Sequence, residues 1–254
     1  IAIVLLYFIL RLPNLTLQPI FADEAIYIRW AQVMRAEPTL RFLPLSDGKT
    51  PLFMWTMVPI FKIFSDPLVA GRILSVVSGF MTMVGIFMLA LKIFNPRTAF
   101  LSAFIYTIVP YTLFFDRLAL VDSMLCAFTI WAIYFAIWLV QLPRLDKSMI
   151  LGFLLGGALL VKTPAIFNLL VLPITGLGYK IKKNQRKTFL KLLLYWAFSI
   201  VIAFGIYNLL KLGPNFQMLS SRNSDYIFSL SELSGRPLDP FIPHLRDMKE
   251  WFAK

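Results

Sequence analysis

Residues 69–91 read VAGRILSVVSGFMTMVGIFMLAL, an apolar run of 23 residues. An α-helix needs roughly 20 such residues to cross the hydrocarbon core of a bilayer. The rest of the chain has the same character, because 59% of its 254 residues are hydrophobic and its mean hydropathy is +0.74. Soluble domains are about half apolar. The sequence therefore predicts an all-α fold, a polytopic membrane protein.

Seven apolar runs predict about seven transmembrane helices. They cover residues 1–10, 69–91, 98–115, 118–140, 149–161, 165–179 and 189–210. The first run begins at Ile1 without a basic flank, so we expect a span whose start is missing rather than a signal peptide. The fifth and sixth runs are short and flank Lys162-Thr163-Pro164, which predicts that one or both tilt or that a break at membrane depth joins them.

These runs define a membrane-embedded core over residues 1–211, and residues 212–254 are expected to begin an outward-facing segment. The outer loop, residues 11–66, is expected to hold two interfacial helices. From Asp23 onward, Ile26, Trp30, Val33 and Met34 are predicted to share one apolar helix face. The second, Pro51–Phe64, is about 14 residues long and interrupted by Pro59 and Lys62, so it is too short to span.

The connections between the runs alternate in charge, which predicts their sidedness. Residues 92–97, 141–148 and 180–188 together hold nine Lys or Arg and one acid, Asp146. By the positive-inside rule these loops are cytoplasmic. The other connections carry twelve of the thirteen acids and are predicted to face outward.

Composition excludes several functional classes. The net charge of +12 is not accompanied by any nucleic-acid-binding motif, and the basic residues cluster beside the spans, so no nucleic acid partner is expected. A single cysteine, Cys126, excludes disulfides and cysteine-rich metal sites. The charge pattern instead implies the lipid bilayer as a partner.

Asp23 and Glu24 are the first candidates for chemistry, because ionisable groups this close to hydrocarbon often mark a functional site. Either carboxylate could take a proton from an acceptor hydroxyl or bind a divalent cation. Alternatively, Asp23 caps the interfacial helix and Glu24 lies in its first turn. The sequence leaves the requirement for a metal or another cofactor open.

The cationic candidates are Lys49, Arg117 and Lys162. Lys49 follows a Gly turn and could bind a lipid phosphate, or it could extend to lipid headgroups. Arg117 could bind phosphate oxygens with Asp122 in support, or the two could form an ion pair that closes a hairpin. Lys162 interrupts an apolar stretch, so it predicts a nearby anion, either a carboxylate or a ligand phosphate.

The order of these motifs resembles a known family. Asp-Glu at 23–24, Lys-Thr-Pro-Leu at 49–52, Arg-Leu-Ala-Leu-Val-Asp at 117–122 and Leu-Val-Lys-Thr-Pro at 160–164 are together similar to GT-C membrane glycosyltransferases. The type is that of the dolichyl-phosphate-mannose protein mannosyltransferases (glycosyltransferase family 39), a group that includes the lipid A aminoarabinose transferase. The resemblance covers about residues 1–180.

The resemblance implies an enzyme that transfers a sugar from a polyprenyl-phosphate donor to an acceptor hydroxyl outside the cell membrane, with inversion. It implies that Asp23 acts at the acceptor with Glu24 in support, and that Lys49 holds the donor phosphate. Arg117 and Lys162 are expected to assist at that phosphate. Many relatives carry His-Pro-Pro where this chain has Lys49-Thr50-Pro51, so the sugar stays open. The acceptor is a protein, lipid or glycan.

Two other functions remain possible from sequence alone. A transporter or flippase for an anionic lipid or solute would place ionisable groups near the midplane and use broken helices in two repeats. Lys162 alone points in that direction. A membrane scaffold without catalytic activity would leave the outer acids and bases scattered.

Overall fold

The computed structural model describes residues 1–177, 186–224, 230–235, 238 and 241–252. Over these ranges the chain is helical, and the described part contains no strand. The α-helices are α1 (Ala2–Arg11), α2 (Ala22–Ala36), α3 (Leu52–Ile60), α4 (Pro67–Ile93), α5 (Pro96–Ile108), α6 (Pro110–Phe115), α7 (Val121–Gln141), α8 (Leu145–Val161), α9 (Val171–Leu177), α10 (Arg186–Tyr207), α11 (Met218–Ser224), α12 (Leu230–Gly235) and α13 (Ile242–Phe252). Short 3₁₀ helices cover Pro38–Leu40, Leu43–Asp47, Thr163–Leu170 and Asn208–Leu212.

Among the described residues, three helices are long and apolar enough to cross a membrane. They cover Pro67–Ile93, Val121–Gln141 and Phe189–Leu212, and each coincides with a predicted span. Residues Ala2–Arg11 and Thr163–Leu177 form shorter apolar helices. The fold is therefore that of an all-α polytopic membrane protein, as the composition predicts. The predicted end of the sixth span at Tyr179 and most of the basic loop at 180–188 lie outside the described residues.

The run at 98–115 differs from its prediction because it is not one helix. Helix α5 ends at Ile108, Val109 is extended with ψ 125°, and α6 begins at Pro110. The residue before a proline is disfavoured in the α conformation, which explains the break. Arg11 donates to the carbonyls of Thr107 and Tyr106, at 2.9 and 3.4 Å, and so satisfies groups that lack helical partners.

Small residues allow close contact between helices. Helix α8 packs against α10, and a Cβ on Gly152 would lie 2.7 Å from the Ile202 side chain. A Cβ on Gly156, one turn later, would lie 2.8 Å from Ile206. Small residues spaced by four are typical of helix pairs in membranes, because they let the backbones approach. The same two helices are also joined by a hydrogen bond, because the hydroxyl oxygens of Ser148 and Ser199 lie 3.0 Å apart.

The two surface helices lie on the ends of α4 and α7 and form one apolar cluster with them. Helix α2 buries Tyr27, Ile28 and Ala31, whereas Ile26 is 38% exposed, so the buried face is rotated from the predicted one. Helix α3 has nine residues. Its length of about 14 Å is half of what a span requires.

A buried ion pair holds α2 against α4. Arg72 donates from Nε to Glu24 Oε1 at 2.9 Å and from Nη2 to Glu24 Oε2 at 2.8 Å, and both side chains are 0% exposed. Arg72 also donates to the carbonyls of Leu15, Gln18 and Pro19. Every added bond offsets part of the cost of burying the charge. Arg72 thereby ties the loop before α2 to the end of a span.

A second buried pair holds α1 against the α6–α7 junction. Arg11 Nε donates to Asp116 Oδ2 at 2.9 Å, and the same carboxylate accepts from Ser123 and from the hydroxyls of Tyr7 and Tyr106. The carboxylate therefore has a partner for each oxygen. Sequence analysis singled out neither Arg72 nor Arg11.

We expect Arg72→Met to destabilise the protein by about 3–5 kcal/mol, because it leaves the Glu24 charge buried without its partner. The measurement is unfolding in detergent micelles followed by tryptophan fluorescence. The matched control is Arg144→Met, which removes an exposed pair to Asp146 at 3.0 Å and is expected to cost less than about 1 kcal/mol. Equal stability of the two variants would contradict the structural role given to Arg72.

Candidate functional site

A pocket of about 350 Å³ opens where the surface helices meet the spans. Its wall combines the start of α2, the turn before α3, and α3 itself. The start of α7, the end of α8 with the residues that follow it, and α11 complete the wall. The lining residues are Asp23, Tyr27, Gly48, Lys49, Thr50, Met54, Val121, Val161, Lys162, Thr163, Pro164 and Arg222. Three of the sequence-predicted site residues, Asp23, Lys49 and Lys162, are thus brought together.

Asp23 lies in the first turn of α2, with its side chain 45% exposed. It does not cap the helix, because α2 begins one residue earlier and its N-cap is Phe21. The Phe21 amide donates instead to Glu24 at 3.0 Å. A carboxylate at this position interacts favourably with the positive end of the α2 dipole. Asp23 is therefore an accessible carboxylate at the pocket wall.

Lys49 is the direct partner of Asp23. Its Nζ donates to Asp23 Oδ1 at 3.2 Å and lies 3.6 Å from Asp47 Oδ2. The ammonium also lies 4.9 Å from the ring centroid of Tyr27 and 5.6 Å from that of Trp30. These aromatic faces attract a cation and limit its motion. Lys49 is 17% exposed and is held at the pocket rather than in open solvent.

Tyr27 contributes a neutral hydroxyl group to the same wall. Burial raises the pKa of the Tyr27 phenol above its ordinary value, and the neighbouring Asp23 carboxylate raises it further. The phenol therefore stays protonated at physiological pH and can donate a hydrogen bond.

Lys162 follows the last residue of α8 and faces Asp122 in the first turn of α7. The Nζ–Oδ1 distance is 2.9 Å, and the side chains are 44% and 39% exposed. Sequence analysis predicts an anion near Lys162, because this lysine interrupts an apolar stretch. The structure shows that Asp122 is a carboxylate at this place. The 3₁₀ helix after Lys162 confirms the break in the helix at 162–164.

Arg222 is a pocket residue that sequence reasoning missed. It lies on α11, beyond the last span, and pairs with Asp47 at 3.0 Å. Gly48 permits this contact, because its φ is +61° and a Cβ there would lie 2.6 Å from the Arg222 Cβ. No local motif marks Arg222, and only the folding of α11 back onto the outer loop brings it to the site.

Two predicted site residues lie elsewhere in the described structure. Glu24 is buried against Arg72 and also accepts from the Ala119 amide at 2.6 Å, so its oxygens face the protein interior. Arg117 donates to the carbonyls of Leu10, Pro13 and Asn14 at 2.9–3.0 Å. Its contacts hold the loop after α1, and neither side chain lines the pocket.

The described residues contain no group of three His, Cys, Asp or Glu side chains that could hold a metal ion. His244 lies exposed on α13. Each cation that lines the pocket pairs with a carboxylate, in Asp23–Lys49, Asp47–Arg222 and Asp122–Lys162, and Asp47 and Asp122 lie just outside the lining. Such a wall suits an anion with attached hydroxyl groups.

Comparison with known proteins identifies the family. A family model described as dolichyl-phosphate-mannose-protein mannosyltransferase matches residues 48–209, which is more than half of the chain. The match includes Lys49, Asp122 and Lys162. No curated protein and no solved structure matches the chain. The chain therefore belongs to the dolichyl-phosphate-mannose-protein mannosyltransferase family, and it is a membrane glycosyltransferase that uses a polyprenyl-phosphate sugar donor.

Proposed function

We propose that this protein transfers the donor sugar to an acceptor hydroxyl at the outer surface of the cell membrane, with inversion at the anomeric carbon. Asp23 is the general base, and Lys49 and Lys162 bind the donor phosphate. The observation that carries the proposal is the meeting of these three side chains in one pocket beside the apolar spans. Family membership favours a transferase over the transporter that sequence analysis left open.

The reaction requires a base and a phosphate site on opposite sides of one carbon atom. The acceptor oxygen forms a bond to the anomeric carbon as its proton passes to the Asp23 carboxylate. The bond from that carbon to the phosphate oxygen breaks, and the electron pair leaves with the polyprenyl phosphate. No other reactant is needed, because the energy of the donor linkage drives the transfer.

Two cations at the leaving group supply electrostatic stabilisation. One unit charge about 4 Å from another contributes about 4 kcal/mol at the effective dielectric constant of a protein surface. Charge on the phosphate increases as the bond breaks, so cations fixed near it stabilise the transition state more than the ground state. Lys49 and Lys162 have the sign and the location for this role.

The ion pairs of the pocket do not prevent ligand binding. The pairs of Lys49 and Lys162 are partly exposed, and such pairs are worth only about 0–1 kcal/mol. A phosphate can therefore compete for each ammonium. When Lys49 turns toward the phosphate, Asp23 is released to accept a proton. In this proposal, the Asp23–Lys49 pair is the state of the site before the donor binds.

The other predicted residues receive supporting roles in this proposal. Asp122 orients Lys162 through their direct pair. Glu24 fixes the first turn of α2, which presents Asp23, and Arg117 fixes the loop that precedes this helix. Lys49 and Arg222 share Asp47, so Arg222 helps to hold the turn before α3.

We expect Asp23→Asn to lower kcat about 10²- to 10⁴-fold while donor binding is retained, because the variant loses proton transfer but keeps its shape. Activity is measured as polyprenyl phosphate release, with native membranes as the acceptor source and a panel of polyprenyl-phosphate sugars that begins with mannose. Asp146→Asn, an exposed acid on the predicted cytoplasmic side, is the matched control and should keep full activity. Transfer by Asp23→Asn at the wild-type rate would exclude Asp23 as the base.

The outward orientation makes a separate prediction. In a Cys126→Ser background, Ser46→Cys before α3 should react with a membrane-impermeant maleimide in intact cells. Arg144→Cys, between α7 and α8, should react only after permeabilisation, because its loop is predicted to be cytoplasmic. Both positions are exposed. The reverse pattern, or labelling of both from outside, would contradict the proposed side of the active site.

A further inference from the structure

One buried polar atom in the pocket wall has no partner among the described residues. Thr50 is 3% exposed and lines the pocket, yet its Oγ1 makes no hydrogen bond to the part of the chain that the structure describes. Leaving a buried hydroxyl unpaired costs free energy of about 1–3 kcal/mol. Buried polar groups in proteins are otherwise nearly always paired, so an exception inside a binding pocket suggests a ligand atom as the partner.

The backbone holds this hydroxyl in place. The Gly48 amide donates to Leu45 O and the Lys49 amide donates to Pro44 O, both at 3.0 Å, so the turn before Thr50 is closed. Pro51 follows and serves as the N-cap of α3. Thr50 is therefore fixed between a rigid turn and a helix start, and its hydroxyl does not need to be ordered when a ligand binds.

The surroundings of Thr50 favour an anionic ligand atom. Its neighbour Lys49 and the more distant Lys162 line the same pocket. Helix α3 begins two residues later, so the positive end of its dipole lies at the same place. A hydroxyl that shares a pocket with two ammonium groups and lies next to a helix N-terminus is suited to donate to a phosphate oxygen.

We propose that the Thr50 hydroxyl donates a hydrogen bond to the phosphate of the lipid-linked donor. Thr50 is then a phosphate-binding residue in addition to the two lysines. This inference rests on the proposed function, because it assumes that the pocket holds a polyprenyl phosphate. It also assigns a role to the second residue of the Lys49-Thr50-Pro51 segment.

The test compares variants of Thr50 that keep or lose the hydroxyl group. Thr50→Val keeps the shape and removes the hydroxyl, whereas Thr50→Ser keeps the hydroxyl. The control is Thr56→Val on α3, because Thr56 Oγ1 donates to the carbonyls of Leu52 and Phe53 and does not face the pocket. The probe is farnesyl phosphate, a short polyprenyl phosphate, titrated against the full chain in detergent.

We expect Thr50→Val to weaken farnesyl phosphate binding about tenfold, which corresponds to about 1.4 kcal/mol. Thr50→Ser and Thr56→Val should bind within about threefold of the wild type. The melting temperature of ligand-free Thr50→Val should be unchanged or higher, because the variant removes an unpaired buried group. A role in folding alone would instead lower the melting temperature and leave the affinity unchanged.

Two results would overturn the inference. Equal affinity of Thr50→Val and the wild type would show that the hydroxyl does not contact the phosphate. Weaker binding of a polyprenyl-phosphate sugar with unchanged binding of farnesyl phosphate would assign the contact to the sugar. Lys49→Met separates this failure from that of the proposed function: if it too leaves farnesyl phosphate binding unchanged, the pocket is not the phosphate site.

Discussion

The ion pair between Arg72 and Glu24 is the interaction on which the arrangement of the pocket depends. It joins the N-terminal end of α4 to the first turn of α2, and the remaining Arg72 donors bind the loop that leads into this helix. Because Glu24 is fixed toward the protein interior, the adjacent Asp23 is directed to the pocket. A pair without access to solvent thus positions an accessible carboxylate.

The ion pairs in and around the pocket fall into two groups by exposure. Arg72–Glu24 and Arg11–Asp116 are at most 2% exposed, and each carboxylate has several further donors. Lys49–Asp23 and Lys162–Asp122 are partly open and share one pocket. A charge that is buried and fully bonded cannot exchange its partner cheaply, whereas a partly hydrated pair can. This difference separates residues that hold the fold from residues that are available to a substrate.

Sequence reasoning found the features that depend on local chemistry. The apolar runs predicted the three long spans, and the isolated Lys162 predicted its anionic partner. The same rule, applied to the lone Arg72 within a predicted span, would have predicted an anionic partner for Arg72. In the structure that partner is the buried Glu24. Position alone could not assign Glu24 and Arg117, because only tertiary contacts direct Glu24 to Arg72 and Arg117 to the carbonyls of the loop after α1. Arg222 depends on α11 folding back onto Gly48, a long-range contact without a sequence motif.

The central claim is that a lipid-borne phosphate binds between Lys49 and Lys162, opposite the Asp23 carboxylate. The most direct measurement is a cryo-electron microscopy map of the protein in nanodiscs with bound undecaprenyl phosphate. The account predicts phosphate density within about 3 Å of both Nζ atoms, the usual length of a charge-assisted hydrogen bond, with the lipid tail leading into the bilayer. Phosphate density at Arg117 or in the basic loop near Arg144, with the pocket empty, would contradict it.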